Sequence, residues 1–115
     1  NRAEGVKNAK MMYGKIAVAV LPTKSANPHI AVAQGANALL HLKDVTASFV
    51  ISEGEKGAVI SGRSLGDISV QLILEKLGGG GHLTVAGAQL NNMGIKDGLN
   101  ELTKAIKEYM EEGEG

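Results

Sequence analysis

Two short runs in this sequence have the residue types and spacing that chemistry would need. The first is Gly78-Gly79-Gly80-Gly81-His82. Four consecutive glycines are costly to order, because glycine loses more backbone freedom on folding than any other residue. A fold that orders them is using positive φ angles or the close approach of a ligand to bare backbone. Successive N–H groups without side chains can form a concave anion site, and the histidine that follows adds a further donor. The plainer alternative is a helix-to-strand connection with Gly78 as the helix terminator. The second run is Ser61-Gly62-Arg63-Ser64, at the end of an expected strand. Alternation along a strand puts Ser61 and Arg63 on one side and Gly62 and Ser64 on the other. A guanidinium is a planar fork suited to bidentate phosphate contacts, and serine hydroxyls supply short-range donors. Alone, this tetrapeptide reads better as a solvated arginine at a strand end. Its interest comes from pairing with the glycine run, since both fall at ends of sheet strands.

Other polar residues carry less. His29 reads as a solvated first-turn residue of a helix and His41 as a residue ending the same helix. Met11, Met12 and Met110 read as packing residues. The charges from Glu101 to Glu112 read as the solvated face of the last helix. No Asp/His cluster has metal-ligand spacing, and no histidine–acid pair is placed to activate Ser64.

The elements that must position these runs follow from pattern. The chain has 115 residues, enough for one core and too few for two. It has no cysteine, so neither a disulfide framework nor a cysteine zinc site can form. Twelve basic residues balance twelve acidic ones, which argues against a dedicated duplex-DNA binder. Aromatic residues are only 3%, so stacking platforms for single strands are nearly absent. No apolar run is long enough to span a bilayer.

Residues 1–14 are expected to hold a lead-in helix, with helical spacing over 2–12. Ile16–Leu21 reads as a strand buried on both faces, and Asn27-Pro28 starts a helix that runs to about His41. Residues 45–52 alternate as a strand, residues 53–57 form a hairpin loop, and 58–62 form the returning strand. Asp67 is expected to cap a third helix through Leu77, ended by Gly78. A short strand over 84–90 and an amphipathic helix opened by Asp97 follow, with a frayed tail over 111–115. These elements give a single α/β domain with a mixed central sheet of about four to five strands flanked by helices. The start at Asn1 suggests a piece of a longer chain.

The segments Ile60-Ser-Gly-Arg-Ser-Leu-Gly66, Val70-Gln71 and Leu77-Gly-Gly-Gly-Gly-His-Leu-Thr84 together resemble the DHH-associated C-terminal domain of the DHH phosphoesterases. Gln34-Gly-Ala-Asn-Ala-Leu-Leu40 and Val45-Thr-Ala-Ser-Phe-Val-Ile51 add to the resemblance, which runs from about Lys15 to Tyr109. Within that superfamily the chain looks like the membrane-bound bacterial cyclic di-AMP phosphodiesterases. The resemblance implies a division of labour. An upstream DHH domain of the same chain holds two manganese ions and activates the attacking water, while this domain holds the nucleotide and binds no metal itself. By motif match Arg63 and Ser64 fall on substrate contacts, and Gly79, Gly80, Gly81 and His82 fall on the phosphate-holding loop. The cyclic-dinucleotide branch tends to carry Asn and Thr where this chain has Val85 and Ala88. The implied substrate is thus cyclic di-AMP, its linear product pApA, or a short oligoribonucleotide. The implied location is the cytoplasmic face of the bacterial membrane, with no direct membrane contact by this domain, and a homodimer is left open. The competing class is a non-catalytic RNA-binding module, against which the zero net charge and scarce aromatics count.

Overall fold

Ile16-Ala-Val-Ala-Val20 is apolar throughout, and in the computed structural model, which describes residues 9–22 and 24–114, it forms strand β2 (Ile16–Val20). Helix α1 (Pro28–Leu39) then carries the chain back to β3 (Ala47–Ser52), which lies parallel to β2 with Ile16 opposite Ala47. Pro28 opens α1 as expected, but the Asn27 side chain makes no capping bond; the Asn27 backbone N–H donates to Ser25 Oγ. Small residues let α1 approach the sheet closely. Ala36 is fully buried, Gly35 packs against Val50, and Ser48 Oγ donates to the Ala36 carbonyl at 2.7 Å. That packing buries every residue of β3, including the serines whose alternation alone would place them in water.

The hairpin leads into β4 (Gly57–Ser64), antiparallel to β3, and β6 (Val85–Asn91) pairs antiparallel with β4 on its other side. Two short edges complete a six-stranded mixed sheet, β1 (Lys10–Met12) and β5 (Gly80–Gly81), in the order β1-β2-β3-β4-β6-β5. The class is α/β as expected, with more strands than the pattern suggested. The expected lead-in helix is corrected where it can be seen: residues 1–8 lie outside the described residues, and Lys10–Met12 is strand. Its cause is the turn at Tyr13 and Gly14, both at positive φ, which folds the chain back onto the free edge of β2.

Helices α2 (Val70–Glu75) and α3 (Ile95–Glu114) cover the face opposite α1. One core cluster holds Phe49, Ile51, Ile60, Leu74, Leu102 and Ile106 under α2 and α3, and a second holds Val32, Ala36, Leu39 and Val50 under α1. Ser69, not Asp67, caps α2: its Oγ accepts from the Leu72 N–H at 3.1 Å. Asp67 stands two residues too early and pairs with Lys15 at 3.8 Å. At the other end Gly78 takes a φ of 85°, its N–H donates to the Glu75 carbonyl and the Gly79 N–H donates to that of Leu74. Those paired bonds close the helix and turn the chain toward β5. The last helix continues through Glu114 where a frayed tail from Glu111 was expected; Glu112 bonds Lys76 at 3.0 Å. Gly115 lies outside the described residues.

Candidate functional site

The register between β4, β6 and β5 brings the two runs together. Ser61 lies opposite Gly87, which in turn lies opposite Gly80. Arg63 lies opposite Val85, and the His82 N–H donates to the Val85 carbonyl at 2.7 Å, continuing that row. Partners across a sheet share a face, and Val59 on the same face of β4 belongs to the core cluster under α1. Arg63 and His82 therefore flank one side of the sheet, two strand spacings or roughly 10 Å apart. Exposed Val85 stands between them in that row, and the neighbouring row beside Ser61 is a shelf without side chains, made by Gly87 and Gly80. A Cβ built on Gly80 meets nothing within 4 Å.

The guanidinium is held in a defined pose. Arg63 Nε donates to Asn37 Oδ1 at 3.0 Å, and Nη1 donates to Ser61 Oγ at 2.7 Å and to the Gly62 carbonyl at 2.9 Å. All three acceptors are neutral. Among the described residues Arg63 forms no ion pair, and partial desolvation lowers its pKa below the usual arginine value. Arginine still carries its charge at neutral pH. The fold thus keeps an uncompensated, partly desolvated cation beside bare backbone, an arrangement that attracts an anion.

The other residues singled out by sequence divide differently. Ser64 does not reach this face. It points into the opposite layer, buried, where its Oγ donates to the Ile68 carbonyl at 2.7 Å and accepts from the Gly66 N–H at 3.1 Å. Gly62 also faces that layer: a Cβ there would lie 2.9 Å from the Phe49 ring and 3.2 Å from Val70 Cβ. In the glycine run, a nest of four successive N–H groups does not form. Those of Gly78 and Gly79 close α2, and that of His82 joins the ladder. Gly79 and Gly81 lie so close to β6 that a Cβ would strike the Gly87 and Val85 carbonyls respectively. Because His82 and Val85 form a bonded pair, the next pair, Gly81 and Ala86, is the non-bonded one of the ladder, which turns the Gly81 N–H to the outer edge of the sheet. His82 is exposed, while His29 stands exposed in the first turn of α1. Sequence reasoning missed Asn37, Ser61 as the partner of Arg63, and Gly87. Strand alternation offered a signal for Ser61, and the Gln34–Leu40 resemblance segment contains Asn37 without singling it out.

Among the described residues no three His, Cys, Asp or Glu side chains converge as a metal site would require. Among them too, no helix is long and apolar enough to cross a membrane.

Comparison with known proteins identifies the family and the fold. The chain is 44% identical over 113 residues to the cyclic-di-AMP phosphodiesterase GdpP of Geobacillus thermodenitrificans, covering 97% of this chain and 17% of that protein. It is 39% identical over 115 residues to the GdpP of Bacillus subtilis, covering 97% of this chain and 18% of that one. The chain therefore spans less than a fifth of the length of these relatives. The fold is shared with the crystal structure of an exopolyphosphatase-related protein from Bacteroides fragilis, at a TM-score of 0.76 and 22% identity over 94% of this chain and 33% of that one. The profile of the DHHA1 domain matches residues 13–112, from the β1 turn to the last turns of α3, and so takes in both the Arg63 row and the glycine shelf. The chain belongs to the DHHA1 domain family, which is part of the DHH phosphoesterases.

Proposed function

We propose that this chain is the substrate-holding domain of a phosphodiesterase that hydrolyses cyclic di-AMP to linear pApA, working beside a DHH domain of the same protein that holds two manganese ions. The observation that carries this reading is the uncompensated Arg63 cation beside the Gly80–Gly87 shelf. The identity to cyclic di-AMP phosphodiesterases over nearly the whole chain supports the choice of nucleotide. A cyclic dinucleotide carries two phosphates, and a metal centre engages the one being cleaved. Arg63 is the donor for the other phosphate, the His82 ring and the outward Gly81 N–H are donors at the opposite rim of the shelf, and Gly80 and Gly87 let the nucleotide lie against backbone. Fixing the unreacting half in place contributes the positional part of phosphoryl-transfer catalysis. Ser64 and Gly79, which resemblance alone would put in contact with substrate, support this face from behind. The parent protein is proposed to sit at the cytoplasmic face of the bacterial membrane, anchored by segments other than these.

The test is hydrolysis by the full-length protein with manganese, offering cyclic di-AMP, pApA and a short oligoribonucleotide side by side. Release of pApA from cyclic di-AMP, with no turnover by the 115-residue chain alone, is the expected result. Turnover of the oligoribonucleotide without cyclic di-AMP cleavage would replace the substrate. RNA binding with no hydrolysis of any of the three would make the domain an RNA-binding module.

A further inference from the structure

We propose that Asn37 of α1 is a positioning residue for substrate binding, acting through Arg63. The inference rests on the reading of Arg63 as a phosphate contact. A guanidinium offers five N–H donors along two bidentate edges, Nε with Nη2 and Nη1 with Nη2. Here the Nε donor goes to Asn37 Oδ1, and Nη1 serves both Ser61 Oγ and the Gly62 carbonyl. Each bidentate edge has lost one member to the protein, and the two hydrogens of Nη2 remain for a ligand. Arg63 is therefore preset as a single-direction donor and does not present a free fork.

Ser61 and Gly62 lie on the same strand as Arg63, so their bonds fix the guanidinium only relative to β4. Asn37 is 26 residues away in sequence, on the helix packed against β3 and β4, and its bond fixes the rotation of the guanidinium relative to that helix. Little else accounts for asparagine at this position. It is exposed, it belongs to neither core cluster, and asparagine is a poor helix former mid-helix. Since arginine can only donate, Oδ1 must face Nε, and the amide orientation is set by the contact itself.

A double-mutant cycle in the full-length protein tests this, with KM and kcat for cyclic di-AMP measured for Asn37→Ala, Arg63→Ala and the pair. Alanine is the better helix former, so Asn37→Ala should fold at least as well as the wild type. The expected result is a KM about 3- to 10-fold higher in Asn37→Ala, the scale of one hydrogen bond, with kcat within about twofold. In the Arg63→Ala background the same substitution should change KM by less than about 1.5-fold, within the scatter of additivity. If Arg63→Ala raises KM and Asn37→Ala does not, the role of Asn37 is overturned while the site stands. An equal Asn37 effect with and without Arg63 would also overturn it, since the residue would then act on the ligand or the fold directly. An unchanged KM in Arg63→Ala would instead remove the site reading and this inference with it.

Discussion

The two faces of the sheet at the end of β4 are built from alternate residues of one tetrapeptide, and they are built for different things. On the α2 side, Gly62 makes room for the Phe49 ring and Ser64 ties the following loop through Ile68 and Gly66. On the α1 side, Ser61 meets a row of glycines, and Arg63 is held by Ser61 and by a neutral helix side chain. The glycine run is divided in the same way. Gly78, Gly79 and Gly81 are required by helix closure and by the closeness of β6, whereas Gly80 borders open space. A motif that reads as one functional unit is thus half scaffold and half shelf. The scaffold half explains why the shelf half can stay bare.

Substitutions can break this division at graded cost. The largest effect is expected at Gly81→Ala, where a Cβ meets the Val85 carbonyl and Ala86 on a backbone at φ 150°. Overpacking and backbone strain together should destabilise the domain by about 2–4 kcal/mol, read as a lowered urea midpoint. Ser64→Ala comes next. It leaves the Ile68 carbonyl without its hydroxyl donor in a buried turn, a loss of about 1–3 kcal/mol by the same measurement. Gly80→Ala should be the mildest, within about 1 kcal/mol of wild type because its Cβ is unobstructed and its φ is not positive. Its affinity for cyclic di-AMP should nevertheless fall, since the methyl group stands on the shelf. Equal destabilisation by Gly80→Ala and Gly81→Ala would erase the distinction between the two halves of the run.

Much of this was legible from the sequence where side chains dictate backbone. The apolar run of β2, the Pro28 helix start and the stripe from Leu99 to Met110 appear where their periodicity puts them. The α/β class and the sidedness of Ser61-Gly62-Arg63-Ser64 followed from alternation alone. The misses have physical causes. β1 and β5 are two or three residues long and exist through pairing with a longer neighbour, so neither Lys10-Met-Met12 nor Gly80-Gly81 carries a period of its own. Asp67 and Ser69 are both good helix caps by type, and loop geometry decides between them. Asn37 was invisible as a site residue because its meaning is the contact with Arg63 across 26 residues.

The most direct measurement compares neighbours on opposite faces: Arg63→Ala and Ser64→Ala, each assayed for cyclic di-AMP affinity in the full-length protein and for stability. Arg63→Ala should weaken binding about 10- to 100-fold, the range of a charge-assisted hydrogen bond, and leave stability within about 0.5 kcal/mol. Ser64→Ala should lower stability and leave the affinity of the folded protein within about twofold. The reverse pattern, with binding lost in a stable Ser64→Ala protein and kept in Arg63→Ala, would put the ligand on the wrong face of the sheet and contradict the account.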